Sequence, residues 1–126
     1  MLQRKYLVWA SEASLLYNHI ILMSVTLNAE WVKTRAAGGQ YESFPPTLRV
    51  IYFVMAAFMI TLAIWLWDHR EQKLNSGSKR LAKILSATFA ISMIFQLISR
   101  SPDERWNAIP AFILAFTFFR LVRDSK

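Results

Sequence analysis

Three stretches of this chain carry no charge at all, and no other feature limits its fold as tightly. Val50 to Trp67 is uncharged over eighteen residues, Ile84 to Ser99 over sixteen, and Trp106 to Phe119 over fourteen. A fourth run, Tyr6 to Asn28, is interrupted only by Glu12 and His19. A helix of about twenty apolar residues crosses the hydrocarbon core of a bilayer. A soluble domain of 126 residues has too little interior to hide four such runs. The 15 basic and 8 acidic residues coexist with a mean hydropathy of +0.28 because they are segregated into the connections.

The spacing predicts four helical spans, at about 6–28, 49–67, 81–99 and 102–122. The first follows Arg4 and Lys5. Its length, Glu12 at its centre and the large residue in Leu27-Asn28-Ala29 argue for a retained helix over a cleaved leader. Residues 29–48 form the longest connection, and Gly38, Gly39, Pro45 and Pro46 argue against regular structure there. Residues 68–80 read as a charged loop turning at Asn75-Ser76-Gly77-Ser78. The fourth span opens with Ser101-Pro102-Asp103-Glu104, which has the form of a capping box with proline at the first helical position. Pro110 is expected to kink that helix, and Lys83 and Arg120 are expected to snorkel.

Counting lysine and arginine orients the spans. Ten lie on the side of the termini (Arg4, Lys5, Arg70, Lys73, Lys79, Arg80, Lys83, Arg120, Arg123 and Lys126), and five on the other (Lys33, Arg35, Arg49, Arg100 and Arg105). The expected fold is therefore an all-α integral membrane bundle of four transmembrane helices, with N- and C-termini cytoplasmic and residues 1–126 forming one polytopic domain. A bacterial inner (cytoplasmic) membrane is the expected location. The net charge of +7 is explained by cytoplasmic loops and anionic headgroups, so no nucleic-acid partner is expected. There is no cysteine, which removes thiolate chemistry and disulfides.

The candidate polar site begins on the first span. Ser11, Glu12, Asn18, His19 and Thr26 fall within a sector of about 120° on a helical wheel. Glu12 and His19 are separated by about 10 Å along the axis. Ionisable groups inside a membrane are costly and mark functional sites by default. Thr88, Ser92, Gln96 and Ser99 form a second polar stripe, about 80° wide, on the third span. Glu12, Asn18, His19, Ser92 and Gln96 are thus the candidate intramembrane site, either as hydrogen-bonded helix packing or as a path for protons or cations. Ala82, Ser86 and Ala90, with Ala111 and Ala115, are spaced as small-residue packing seams. Ala57 and Thr61 repeat that spacing on the second span. His69-Arg70-Glu71 reads as solvated loop, and Asp103 and Glu104 as charges at a helix start. No catalytic constellation, metal-ligand set or cofactor motif is expected.

The length, the four spans and the glutamate of the first helix resemble the small multidrug-resistance transporters. That resemblance implies a dimer in which Glu12 binds protons and cationic substrates. It is confined to architecture and Glu12: no span contains glycine, the first loop is longer, and Asn18 and His19 stand where that family's helix is mostly apolar. Fluoride-channel-like proteins are similar in size, charge and helix number, but their glycine-rich start is absent.

From the residues alone the expected function is non-catalytic: a small polytopic membrane protein acting through helix–helix association, with the bilayer and a homo-oligomer or a larger membrane protein as partners. The alternative is a small oligomeric proton- or cation-linked transporter or channel using the polar face of the first helix.

Overall fold

A computed structural model describes residues 3–125, and among these every regular element is helical. Four long helices are present: α1 (Arg4–Thr26), α2 (Pro46–Asp68), α3 (Ser76–Leu97) and α5 (Ala108–Arg123), the last introduced by the single turn α4 (Pro102–Arg105). Lys126, counted above on the side of the termini, lies outside the described residues. Three helical stretches are both long enough and apolar enough to cross a membrane: Pro46–Asp68, Ser76–Leu97 and Pro102–Arg123. α1 has the length, at 23 residues, but Glu12, Asn18, His19 and its serines dilute its hydropathy.

α1 lies between α2 and α5, and α3 packs along the other side of α5. Side chains of all four helices meet in one core, where Leu15, Leu66, Leu114, Phe118 and Leu121 are almost wholly buried. The Phe89 and Phe118 rings stack at 6.0 Å between α3 and α5. The small-residue seams are closed inside this core. Ala82 is fully buried, Ala111 and Ala115 nearly so, and Ser86 donates to the Ala115 carbonyl at 2.8 Å. Ala90 packs against the same cluster. Small side chains let the two backbones approach closely enough for that bond.

The helix ends follow local chemistry. α2 starts at Pro46, earlier than expected, because a proline at the first helical position leaves no donor to satisfy. α3 also starts early, at Ser76, because the Asn75 side chain accepts from Ser78 N at 2.8 Å. Residues 76–80, expected as loop, are its first turns. α1 ends at a left-handed Asn28 (φ 56°), with Asn28 N bonded to Val25 O and Ala29 N to Ser24 O. Pro110 disturbs the chain one turn ahead of itself. Lacking an N–H, it leaves the Trp106 carbonyl without its helical donor, and Ile109 N bonds that carbonyl at 3.2 Å instead. The break between α4 and α5 is the result. Arg120, expected to reach outward, is buried, with Nε 3.7 Å from the Asp124 carboxylate.

The bundle has two unlike ends. At one, Arg4 donates to the carbonyls of His69 (3.2 Å) and Gln72 (2.7 Å), and Leu74 N donates to Ser125 Oγ (2.8 Å). The start of α1, the 69–75 connection and the end of α5 are thereby tied together. At the other end residues 27–45 form a cap. They contain two 3₁₀ turns (Glu30–Val32 and Ala37–Gly39). Val32, Ala36 and Phe44 are buried against Ile21 and Val25 of α1. The segment expected to be irregular is short on regular structure but is packed.

Candidate functional site

The cap is held by residues that read, in sequence, as a self-contained helix start. Ser101 does stand at the N-cap of α4, yet its side chain makes no capping bond; its hydroxyl donates to the Thr34 carbonyl. Asp103 accepts from the Thr34 hydroxyl at 2.7 Å, and Glu104 Oε2 accepts from Gly38 N at 2.8 Å. A capping box bonds its own backbone; here all three side chains bond the cap. The glycines make that approach possible. Gly38 and Gly39 both have φ of 71°, and a Cβ on Gly39 would come within 3.2 Å of Ser101 Cβ.

Asn107, in the break between α4 and α5, is the hub below. Its Oδ1 accepts from the Tyr17 hydroxyl at 2.6 Å, and its Nδ2 donates to the Arg35 carbonyl at 3.0 Å. One buried amide therefore joins α1, the cap and the head of α5.

Beneath this hub is a cavity of about 230 Å³ between the four long helices. Its wall toward the cap carries Arg35, Glu104, Asn107 and Asn18, with Ser92, Gln96 and Tyr52 at the sides. Leu22, Met59, Phe89 and Ala111 form the apolar part. α2 and α3 flank the cavity instead of packing along each other. Gln96 Oε1 is buried with no hydrogen-bond partner among the described residues. An acceptor of this kind needs a donor from water or a ligand, because leaving it bare costs about 1–3 kcal/mol.

The expected site residues divide between two places. Asn18, Ser92 and Gln96 come together on the cavity. His19 and Glu12 do not line it. His19 turns to α2, where Nδ1 bonds the Ala56 carbonyl at 2.9 Å; since a carbonyl only accepts, Nδ1 carries the proton. Glu12 lies one helical stripe with His19 and is half-buried, with Oε1 unpartnered among the described residues. Ser11 instead faces α5 and donates to the Thr117 hydroxyl at 2.7 Å. A sector of about 120° is wide enough to touch two neighbouring helices, and its edges do so. Within that sector, Ser11 bonds α5, whereas His19 and Thr26 bond α2. Of the third-helix stripe, Thr88 bonds its own turn at Ile84 O, and Ser99 accepts from Ser101 N.

The chain matches no family model, no curated protein and no solved structure.

Arg35, Glu104, Asn107 and Tyr52 were not among the expected site residues. Asp103 and Glu104 had a sufficient local explanation at a helix start, and only the cap's position reveals their second role. Among the described residues no group of three His, Cys, Asp or Glu converges as metal ligands would. What the cavity offers is a mixed wall: one cation, one carboxylate, three carboxamides and an apolar floor. Such a wall suits ordered water or a small polar group.

Proposed function

We propose that this chain is a small, non-catalytic polytopic membrane protein that works by helix–helix association with a second copy or a larger membrane protein. In this reading all four long helices span, α1 with its polar face turned inward, and the membrane is a bacterial cytoplasmic membrane. The end that gathers Arg4, the 69–75 connection and Ser125 faces the cytoplasm, in keeping with the excess of lysine and arginine there.

The observation that carries the reading is the exposure of α2. It is the most apolar helix, with a mean hydropathy of 2.2 over a window only 22 % buried. The seams of α3 and α5 are closed within the bundle, whereas Ala57 and Thr61 on α2 remain exposed. A small-xxx-small notch on an open apolar face suits a second helix better than a lipid chain, because it permits close backbone approach. The sequence contains no cysteine, so Thr61→Cys is a clean probe. In native membranes it should give a disulfide-linked or maleimide-linked adduct of fixed stoichiometry, with copies of itself or with one larger protein. A strictly monomeric pattern at Thr61, together with a monomeric chain in mild detergent, would overturn the reading.

A second reading, proton- or cation-linked transport, is favoured by Glu12 alone. Its half-buried carboxylate has an oxygen with no partner among the described residues, as a proton or cation site requires. It predicts pH-dependent flux in proteoliposomes that Glu12→Gln abolishes while the protein stays folded. Absence of flux in the unaltered protein removes it.

A further inference from the structure

At the end opposite the cap, a second cavity of about 470 Å³ opens between the start of α1 and the end of α2. Its polar groups are Arg4, Lys5 and Arg70 against a single acid, Glu71. Val8 forms its floor, and Trp9 and Trp67 stand at its sides. Both rings are about half exposed, at 56 % and 45 %. Tryptophan flanking a basic pocket at the end of an apolar helix marks the headgroup level of a bilayer.

The cations are positioned by the fold. The Arg70 guanidinium lies 4.1 Å over the Trp67 ring and donates to the Trp67 carbonyl at 2.6 Å. Lys5 stands 5.1 Å over the Tyr6 ring, which meets Trp9 edge-on. Arg4 uses Nη2 on the loop carbonyls of His69 and Gln72, while its Nε is buried and has no acceptor among the described residues. A buried charged donor without an acceptor is costly. An arginine stays protonated throughout the physiological range. The pocket therefore presents three cations beside an apolar floor.

We propose that this pocket binds the phosphate of an anionic phospholipid, with Arg4, Lys5 and Arg70 around the headgroup and the acyl chains passing Val8 between Trp9 and Trp67. The chemistry recognised is a phosphate, and the two flanking indoles and apolar floor favour a lipid over free phosphate. The proposal rests on the membrane reading above, and its test separates the two.

The full chain is reconstituted in phosphatidylcholine vesicles containing a small fraction of bromine-labelled lipid, either phosphatidylglycerol or phosphatidylcholine. Tryptophan emission reports contact, because bromine quenches at short range. Labelled phosphatidylglycerol should quench more strongly, and Trp9→Phe with Trp67→Phe should remove the excess. Lys5→Gln with Arg70→Gln should reduce the preference about thirtyfold. Glu71→Gln, which removes the one acid, should strengthen it. Lys79→Gln with Arg80→Gln, basic residues at the same end but outside the pocket, should leave it unchanged. Equal quenching by both lipids, or loss of the preference in the Lys79/Arg80 variant, would overturn the site while leaving the protein inserted. Loss of the preference on adding inorganic phosphate would assign the pocket to free phosphate and overturn the lipid. No quenching by either lipid would overturn the membrane reading and the site with it.

Discussion

Asn107→Ala is the substitution that tests whether the cap and the helices form one cooperative unit. The Asn107 side chain is the common partner of the Tyr17 hydroxyl and the Arg35 carbonyl, and it is only 8 % exposed. Removing it leaves two groups unpaired. An orphaned buried group costs about 1–3 kcal/mol. The Arg35 carbonyl belongs to the cap and can turn toward water, whereas the Tyr17 hydroxyl is held on α1. We expect a total loss of about 3 kcal/mol, most of it from Tyr17. Tyr17→Phe alone leaves only Asn107 Oδ1 unpaired and should cost about 1–2 kcal/mol. The two changes share a contact, so their effects should not add. The coupling should be about 0.6–1.7 kcal/mol, as for hydrogen bonds between helices in a bilayer. Reversible unfolding of single and double variants by SDS in mixed micelles, followed by circular dichroism, measures each corner of the cycle. Trypsin gives an independent reading, because release of the Arg35 carbonyl should speed cleavage after Arg35. Additivity to within about 0.3 kcal/mol, with unchanged cleavage, would refute the hub.

Three further outcomes follow from the packing. Gly38→Ala should cost about 1–2 kcal/mol for the left-handed backbone alone, since nothing lies within 4 Å of its Cβ position; Gly39→Ala should cost more, because its Cβ meets Ser101 at 3.2 Å. The same unfolding assay compares them, and equal costs would argue that the cap does not rest on Ser101. Phe118→Ala, at the fully buried centre of the core, should lose about 3–5 kcal/mol, and a loss below about 1 kcal/mol in SDS unfolding would contradict that packing. Ala82→Leu, inside the α3–α5 seam, should cost about 1–3 kcal/mol by overpacking, whereas Ala57→Leu on the exposed face should change folding by less than about 0.5 kcal/mol while reducing Thr61→Cys cross-linking; the reverse pattern would place the association face elsewhere.

The readable part of the site was the set of polar positions, and the unreadable part was their grouping. Asn18, Ser92 and Gln96 stood out because polar side chains are conspicuous in apolar runs, and the structure puts them on one cavity. Glu12 and His19 stood out for the same reason, but neither lines that cavity, and His19 bonds α2 instead. A wheel gives angles within one helix and says nothing about which neighbour occupies each angle. Glu104 and Arg35 were harder to see. They lie in segments 69 residues apart, each with an adequate local role, and meet at the cavity only because the cap folds back over α4.

By itself the sequence determined the helices: long uncharged runs leave few alternatives to α-structure, and Pro46, Asn75 and Asn28 place the ends through bonds to their own neighbours. Those are short-range effects, fixed by backbone geometry over a few residues. Tertiary structure alone decided the rest. It closed the seams of α3 and α5 on each other, left that of α2 open, diverted Ser101, Asp103 and Glu104 from their own helix to the cap, and gathered three cations beside Trp9 and Trp67. Each of those outcomes depends on the rotation and register of one helix against another, which are set by packing between residues far apart in the chain.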